Sequence, residues 1–383
     1  MSRPFFPEPP VYSTPLGYHR VLAPTAGAKV SPLCLGGMNF GDAWKAYMGE
    51  CSKEQSFEVM DAFVEAGGNF IDTANNYQNE ESETWIGEWM AKKKNREQLF
   101  IATKYTTGFR NHNRDTTEPL QSNFVGNSMK SMRTSVEHSL KKLQTDYIDL
   151  LYLHWWDFTT SIPEVMNGLN NLVTSGKVLY LGISDTPAFI VSKANEYARQ
   201  NGLRPFSVYQ GKWNAGFRDI EREILWMCRE EGMAIAPWGA LGQGKLKTKE
   251  AREAAEGSPR GADMSGHDVK ISEALEDVGK KKGASLQAVA LAYVMHKHPY
   301  VFPIIGQRSA KHVQANIEAL KISLSEDDID EIEHAAPFDV GFPMNFLFRE
   351  YKSTNTAPDV FLTNMTAQID VPGHLKAPGP RKT

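Results

Sequence analysis

The chain has 383 residues, and its 41% hydrophobic and 23% charged residues are ordinary for a globular protein with one large or two average domains. A formal net charge of −4 argues against a nucleic-acid surface, and three cysteines without a CxxC pattern argue against a disulfide framework or a metal site. No run reaches the ~18 apolar residues of a membrane span, and the N-terminus lacks the apolar core of a signal peptide, so we expect a cytoplasmic protein without a membrane partner.

The chain begins with a proline-rich stretch, residues 1–15, that is predicted to be a loose N-terminal arm. Two short extended segments follow at 19–22 and 28–30. The residues between them, Pro24-Thr25-Ala26-Gly27, are typical of a turn, so these segments are predicted to form a hairpin.

From residue 33 onward, apolar runs typical of buried strands alternate with helical patterns. Strands are predicted at 33–35, 69–71, 99–103, 148–153, 178–183, 206–209, 233–236 and 301–305. Helices are predicted at 53–66, 81–93, 125–143, 163–175, 187–201, 219–231, 286–298 and 310–320. Apolar strands separated by helices indicate parallel strands buried on both faces, and eight such units favour an α/β fold, the (β/α)8 TIM barrel. A doubly wound sheet is the alternative, but no glycine fingerprint for phosphate follows an early strand.

Two long segments and a tail interrupt this alternation. Residues 105–124 follow the third strand and 239–270 follow the seventh, so both should lie at the C-terminal face, where barrels build active sites. A last helix at 325–336 ends the predicted barrel domain, which spans residues 16–336. The extension, 337–383, carries five phenylalanines and is predicted to pack on the barrel.

Four polar residues end or closely follow successive predicted strands: Asp72, Tyr77, Lys104 and His154. We expect Lys104, with Asp72 as its counter-ion, to lower the pKa of Tyr77 from its ordinary value of about 10 and so make it a general acid. His154 could guide a carbonyl oxygen as a neutral hydrogen-bond donor, and a protonated imidazole is the alternative. Each residue alone is more often a cap, a solvated charge or a packing residue. Only the joint pattern at neighbouring strand ends predicts a catalytic site.

These segments resemble the aldo-keto reductase superfamily over about residues 16–335. The resemblance rests on the segments 69–74 with Tyr77, 100–104, 149–154, 176–178, 181–184, 209–210 and 304–306 with Asn316. The fungal aryl-alcohol dehydrogenases and the related norsolorinic acid reductases are the most similar subgroup, through 67–75, 176–182 and 234–238. The resemblance implies carbonyl reduction with NADPH, in which Tyr77 protonates the oxygen, Asp72 and Lys104 tune Tyr77, and His154 orients the substrate.

The resemblance also implies a site for NADP(H). Carried over by position, its contacts are Asp72, Ser184, Asp185, Gln210, Trp238, Gly239, Ala240, Leu241, Gly242, Gly244, Lys245, Gly306, Gln307, Arg308, His312 and Asn316. Ser184, Asp185 and Gln210 would hold the carboxamide, and Trp238 would stack on the nicotinamide. Backbone amides along 239–248 would line the pyrophosphate, and Arg308 would pair with the 2′-phosphate.

Three positions of this implied site depart from the residues that many family members carry. Asp185 stands where many have Asn, and Trp238 stands where many have Tyr. His312 stands where an arginine is common near the 2′-phosphate, which weakens the preference for NADP over NAD.

The predicted activity is NADPH-dependent reduction of aromatic aldehydes or ketones, reversible as alcohol oxidation. Tyr77, His154, Trp155 and Trp156 are predicted to contact an aromatic carbonyl substrate, and core packing is the alternative for each tryptophan. Two other functions stay open: a pathway-specific polyketide ketone reductase, and a regulatory binding module like the potassium-channel β-subunits, whose barrel is similar. A homo-oligomeric state and the preferred direction of the reaction are also left open.

Overall fold

The structure, a computed structural model, describes residues 11–254 and 264–380. Most of the predicted N-terminal arm and residues 255–263 of the long segment after the seventh barrel strand therefore lie outside the described residues.

The chain first forms an antiparallel hairpin of strands β1 (Arg20–Ala23) and β2 (Ala26–Val30). The predicted hairpin is confirmed, with a turn at Pro24 and Thr25 that is shorter than expected. Side chains from both strands, including Leu22 and Val30, pack with residues of the barrel interior. The hairpin therefore closes the N-terminal end of the barrel, which leaves the C-terminal end for a functional site.

Eight parallel strands form a nearly closed barrel, in which the sheet order follows the chain and the last strand lies beside the first. These strands are β3 (Cys34–Gly36), β4 (Phe70–Asp72), β5 (Phe100–Tyr105), β6 (Ile148–Leu153), β7 (Val178–Ser184), β8 (Val208–Lys212), β9 (Ala234–Trp238) and β10 (Ile304–Gly306). Across the closing gap, Ile235 of β9 forms a parallel bridge with Val301, just before β10. The predicted (β/α)8 barrel is confirmed.

Helices connect the strands and cover the outside of the barrel. In the described ranges the α-helices are α1 (Lys45–Met48), α2 (Lys53–Glu65), α3 (Glu81–Lys93), α4 (Met129–Leu143), α5 (Ile162–Thr174), α6 (Ala188–Gln200), α7 (Ile224–Glu230), α8 (Lys249–Glu253), α9 (Gly266–Lys282), α10 (Leu286–His296), α11 (Ala310–Ile317), α12 (Glu326–Ala335), α13 (Met344–Leu347) and α14 (Phe361–Asn364). Short 3₁₀ turns lie at Pro15–Gly17, Arg96–Gln98, Asn111–Asn113, Ser122–Phe124, Asp219–Glu221, Glu318–Lys321 and Ala357–Asp359, and turns that include left-handed residues lie at Tyr77–Glu80 and Gly242–Gly244. Within 11–254 and 264–380, none of these helices combines the length and apolar character needed to cross a bilayer.

The structure corrects two predicted helices and adds five to those predicted, of which α9 is the longest. The helix predicted over 125–143 begins only at Met129, because the Ser128 side chain accepts a hydrogen bond from the amide of Ser131 and caps the first turn. The helix predicted over 219–231 divides into a 3₁₀ turn and α7. Helix α9 was not predicted, because its charged composition concealed a narrow apolar face at Ile271, Leu275 and Val278.

The barrel strands are buried on both faces, as their continuous apolar runs predict. On β6, Leu150 and Tyr152 face the interior together with Phe70 and Phe100, whereas Leu151 belongs to the outer core under the helices. This alternation follows from the two-residue period of a strand, and it determines which side chains reach the space above the barrel.

Residues of the C-terminal extension lie along the outside of α7. Phe348 stacks on Trp226, with ring centroids 6.0 Å apart and an interplanar angle of 15°. The Tyr351 hydroxyl donates to the carbonyl oxygen of Glu221 at 2.7 Å, and the Lys352 ammonium lies 2.7 Å from the Asp330 carboxylate. The division into an arm, a barrel over 16–336 and an extension remains a prediction.

Candidate active site

The period of the strands brings the predicted catalytic residues together. On β5, Phe100 and Ala102 belong to the interior cluster, so Lys104, two residues further, points inward as well. In the other strands, residues that lie an even number of positions after an interior residue point into the same space. They are polar or aromatic: Asp72, His154, Ser184, Gln210 and Trp238. The space above the C-terminal end of the barrel is therefore lined by residues from six neighbouring strands.

A buried ion pair between Lys104 and Asp72 lies at the bottom of this space. The Lys104 Nζ atom is 2.5 Å from Asp72 Oδ1 and also donates to the carbonyl oxygen of Thr73 at 2.7 Å. Gln210 Nε2 donates to the second carboxylate oxygen of Asp72 at 3.0 Å. Burial lowers the pKa of Lys104, but Asp72 and Tyr77 together raise it by more than burial lowers it. The net pKa lies above the ordinary value of lysine, so the ammonium stays charged. The predicted pairing of Lys104 and Asp72 is thus present.

Tyr77 extends over this ion pair from the turn that follows β4. Its hydroxyl lies 3.5 Å from Lys104 Nζ, and its ring meets those of His154 and Trp44 edge to face, at centroid distances of 6.0 and 6.3 Å. Trp44 belongs to the loop after β3 and was missed by the sequence analysis, because that loop lacks a polar motif.

The predicted direction of the Tyr77 pKa is wrong. Burial raises the pKa of the phenol, and Lys104 lowers it, as expected, but the net direction is upward. The reason is that the cost of burying a phenolate exceeds the attraction of Lys104, and the nearby Asp72 carboxylate opposes Lys104. Tyr77 is therefore protonated at neutral pH and holds the proton that an acid must supply.

His154 is neutral, which decides between the two protonation states left open by the sequence. Burial lowers its pKa to about 3, and the nearby Lys104 ammonium acts in the same direction. Its Nδ1 lies 3.3 Å from the hydroxyl of Thr107, which accepts a hydrogen bond from Trp155 Nε1 at 2.9 Å. Since Thr107 accepts from Trp155, its own hydrogen is available for Nδ1, and this favours the proton on Nε2. Thr107 was not predicted, although it lies only three residues after Lys104.

Asp185 links two of the residues predicted to surround a nicotinamide. It has a left-handed backbone (φ 42°) and accepts hydrogen bonds from Trp238 Nε1 at 3.1 Å and from the Ser184 hydroxyl at 3.2 Å. The carboxylate therefore orients the Trp238 ring. The Gln210 amide nitrogen donates to Asp72 in the structure. The contact of Gln210 with a carboxamide stays a prediction.

The segment after β9 forms a tight turn with left-handed backbone at Gly239, Gly242 and Gly244. The amides of Gly242, Gly244 and Lys245 donate to carbonyl oxygens within this turn, so fewer amides can face a pyrophosphate than the sequence suggested. The structure does not place two other predicted contacts at an open site. Ala240 is 1% exposed and packs in the hydrophobic core beside the partly buried Leu241.

Beyond β10, the predicted adenosine-binding residues differ in their surroundings. Arg308 follows the exposed Gly306 and donates to the carbonyl oxygen of Met48 at 3.3 Å. His312 is exposed, with Nδ1 3.1 Å from the Ser309 hydroxyl, and Asn316 is buried at 6% exposure.

The Gln307 side chain is the strongest sign of a missing polar ligand in this region. The residue is 1% exposed, and neither amide atom has a hydrogen-bond partner among the residues that the structure describes. Leaving a buried amide unsatisfied costs free energy, so such a group indicates a polar ligand or water at this position. The residues present therefore fit a dinucleotide whose polar end reaches β10.

The two tryptophans predicted to contact substrate lie in different environments. Trp155 is half-buried beside Thr107 and His154, at the edge of the catalytic space. Trp156 is 7% exposed and belongs to the continuous core around the barrel. The structure therefore brings Trp155 to the site and supports the packing alternative for Trp156.

Comparison with known proteins agrees with this geometry. The model of the Aldo/keto reductase family matches residues 32–337. Norsolorinic acid reductase B of Dothistroma septosporum is 55% identical over 362 residues, which cover 92% of this chain and 92% of that protein. An aryl-alcohol dehydrogenase [NADP(+)] of Phanerodontia chrysosporium is 52% identical over 348 residues, covering 88% of this chain and 90% of that protein. A putative aryl-alcohol dehydrogenase of Saccharomyces cerevisiae is 50% identical over 374 residues, covering 95% and 97%.

The pKa of His154 makes the stability of the protein depend on pH. The folded value of about 3 lies below the ordinary value of about 6.5, so protonation favours the unfolded chain. Stability contributed by the neutral ring is complete above pH ~6.5 and is lost as the pH falls toward 3, by up to about 1.4 kcal/mol per unit. We expect His154→Gln to lose less unfolding free energy than the wild type between pH 7 and 5, measured by urea unfolding. Parallel losses in the two proteins, or a His154 NMR titration near 6.5, would contradict this assignment.

Proposed function

Because this chain belongs to the aldo/keto reductase family and is therefore an oxidoreductase that acts on carbonyl groups, we propose that it reduces aromatic aldehydes or ketones to alcohols with NADPH, reversibly. The observation that carries the proposal is the joint arrangement of a protonated phenol and a neutral imidazole above one buried ammonium. Such a group of side chains can bind a carbonyl oxygen and deliver a proton to it.

Tyr77 is proposed as the general acid and His154 as the residue that orients the carbonyl oxygen. The Nε2–H of His154 would donate to that oxygen, since Nδ1 faces Thr107. Once Tyr77 has given up its proton, its phenolate would gain the attraction of Lys104. At 3.5 Å and an effective dielectric constant near 20, the attraction of this pair alone is about 5 kcal/mol, and the Asp72 carboxylate offsets part of it, so Lys104 acts mainly on the state after proton transfer.

NADPH, when bound, would supply the hydride. Ser184, Asp185 and Trp238 would hold its nicotinamide end, and Gln307 with Arg308 would hold the adenosine end. The unsatisfied amide of Gln307 supports a polar ligand there, and the relative from Phanerodontia chrysosporium is named for NADP(+). The Arg308 guanidinium suits a phosphate, because its planar fork can donate two parallel hydrogen bonds.

The aromatic walls of the space support an aromatic substrate. Trp44 meets the Tyr77 ring at its edge, and Trp155 is held through its indole nitrogen by Thr107. Flat rings fixed in this way offer apolar contact and edge-to-face packing to an aryl group beside the carbonyl. The names of the relatives, aryl-alcohol dehydrogenases and norsolorinic acid reductases, point the same way.

A pathway-specific ketone reductase is the second candidate. It is favoured by the 55% identity to a norsolorinic acid reductase over nearly the whole length of both proteins. A regulatory binding module has no comparable support, because the relatives named above carry the names of enzymes. We also propose a cytoplasmic location, since the three cysteines are buried and free.

The proposed substrate class can be tested with purified protein and a panel of aldehydes. We expect NADPH oxidation, followed at 340 nm, to show a higher kcat/KM for benzaldehyde-type substrates than for aliphatic aldehydes of similar size. An aliphatic preference would overturn the aromatic assignment. A flat trace across aldehydes and aryl ketones would favour the binding module instead.

Removing the phenol oxygen tests the acid. We expect Tyr77→Phe to lower kcat by at least about 100-fold, since general acid catalysis contributes on the order of 10²–10⁴. NADPH binding, measured by fluorescence titration, should be nearly unchanged. Tyr47→Phe, at an 85% exposed position, is the control and should keep full turnover. Substantial reduction by Tyr77→Phe would show that another group supplies the proton.

Removing the Arg308 guanidinium tests how the cofactor is distinguished. We expect Arg308→Ala to raise the KM for NADPH about 10- to 100-fold, the range for a charged hydrogen bond, with little change for NADH. The exposed Lys321, which pairs with Glu318, provides the control variant Lys321→Ala. Equal effects on both cofactors would mean that the 2′-phosphate is recognised elsewhere.

A further inference from the structure

The backbone directly after Tyr77 adopts a conformation that residues with a Cβ rarely choose. Gln78, Asn79 and Glu80 have φ values of 52°, 51° and 83°, which makes three consecutive left-handed residues without a glycine. This conformation brings Cβ close to the following carbonyl group, and it persists only where the surrounding structure holds it. Contacts from neighbouring segments must therefore hold this turn.

The first two residues of the turn are held by the loop after β3. Gln78 is fully buried and donates from Nε2 to the carbonyl oxygen of Met38 at 3.0 Å. Its Oε1 accepts from the amide of Trp44 at 2.7 Å, and Asn79 accepts from the Trp44 indole at 3.1 Å. These contacts fix one side of the turn.

The third residue, Glu80, is held by cations from two other elements. Its carboxylate, which is 11% exposed, lies 2.6 Å from Arg110 Nη1 and 3.0 Å from Lys142 Nζ, with His112 Nε2 at 3.4 Å. Arg110 also binds Glu118 through Nε at 2.7 Å and Nη2 at 3.0 Å. Arg110 therefore cross-links the segment 105–124, after β5, to the turn that carries Tyr77.

The position of the phenol depends on this turn. The contacts that the structure describes for the Tyr77 side chain are the Lys104 ammonium, 3.5 Å from the hydroxyl and 5.1 Å from the ring centroid, and ring edges against His154 and Trp44. None of these is a short hydrogen bond that could hold the hydroxyl by itself. A shift of the backbone at 78–80 would therefore move the hydroxyl relative to Lys104.

We propose that Glu80 and Arg110 are positioning residues for Tyr77. Their buried ion pair holds the left-handed turn, which keeps the phenol hydroxyl beside the Lys104 ammonium. The same ion pair couples the conformation of the segment 105–124 to the position of the Tyr77 hydroxyl, which is the proposed proton donor. The catalytic part of this inference rests on the proposed function, whereas its structural part does not.

The test compares Arg110→Ala, Glu80→Gln and the double variant. We expect each single variant to lower kcat about 10- to 100-fold, because displacing a reacting group by about 1 Å can cost 10²-fold. The Kd for NADPH should change less than about twofold, and the double variant should be no worse than the poorer single variant, since the two residues act as one unit. Arg110→Lys should retain more of the wild-type kcat than Arg110→Ala, because lysine keeps the positive charge but not the planar guanidinium that donates to both Glu80 and Glu118.

A second ion pair of similar burial, between a residue just before β5 and one in β6, provides a matched control. Arg96 and Asp149 lie 2.7 Å apart at 15% and 9% side-chain exposure, against 21% and 11% for Arg110 and Glu80. Arg96→Ala should lower the thermal midpoint at least as much as Arg110→Ala without a selective fall in kcat. Equal falls in kcat in the two variants would overturn the positioning role and leave only general destabilisation.

Hydrogen–deuterium exchange tests the structural part without turnover. In Arg110→Ala, amides of 76–84 and of 106–120 should both exchange faster than in the wild type, whereas in Arg96→Ala they should not. Unchanged exchange at 76–84 would overturn the proposed link. If the wild-type chain reduced nothing on the aldehyde panel, the proposed function would fail, and the exchange data would still decide whether Arg110 holds the turn.

Discussion

A buried ammonium is the constraint on which the rest of the site depends. Lys104 is fully buried at the end of β5, and it is tolerated there because Asp72 and the carbonyl of Thr73 surround it. Asp72 in turn is held by Gln210 from the far side of the barrel. Removing either Lys104 or Asp72 would leave an uncompensated charge in the interior, so the ends of β4 and β5 are held in a single geometry. Tyr77 and His154 are placed against that fixed charge.

Burial explains why the phenol and the imidazole are both neutral, and the Lys104 charge opposes burial at Tyr77 but adds to it at His154. Lys104 disfavours protonation of His154, which burial disfavours as well, so the ring remains a hydrogen-bond donor. For Tyr77, burial raises the pKa, Lys104 lowers it without overcoming burial, and Asp72 adds to the rise. The ammonium is therefore suited to stabilise a phenolate that forms during proton transfer. A phenolate present beforehand would have no proton to give.

Much of the site could be predicted because strands and charges follow short-range rules. The two-residue period that buries Phe100 and Ala102 also aims Lys104 inward, and apolar runs alone reveal it. Trp44 and Thr107 could not be found in this way, because they reach the site through loops whose course depends on distant contacts. The predicted direction of the Tyr77 pKa shift was wrong for a related reason. That direction depends on the balance between the burial of the phenol and the opposing charges of Lys104 and Asp72.

Periodicity and spacing, which are local properties of the chain, determined the barrel and indicated the residues that meet at its C-terminal end, and the family followed from the resemblance of particular segments to known proteins. Only the tertiary structure decided that His154 is neutral, that Ala240 and Trp156 pack in the core, and that the buried Gln307 amide has no hydrogen-bond partner within 11–254 and 264–380. Only the folded structure, likewise, shows the left-handed turn after Tyr77 and the ion pair that holds it. Burial, electrostatic compensation and backbone strain arise between segments far apart in the chain, so no local pattern encodes them.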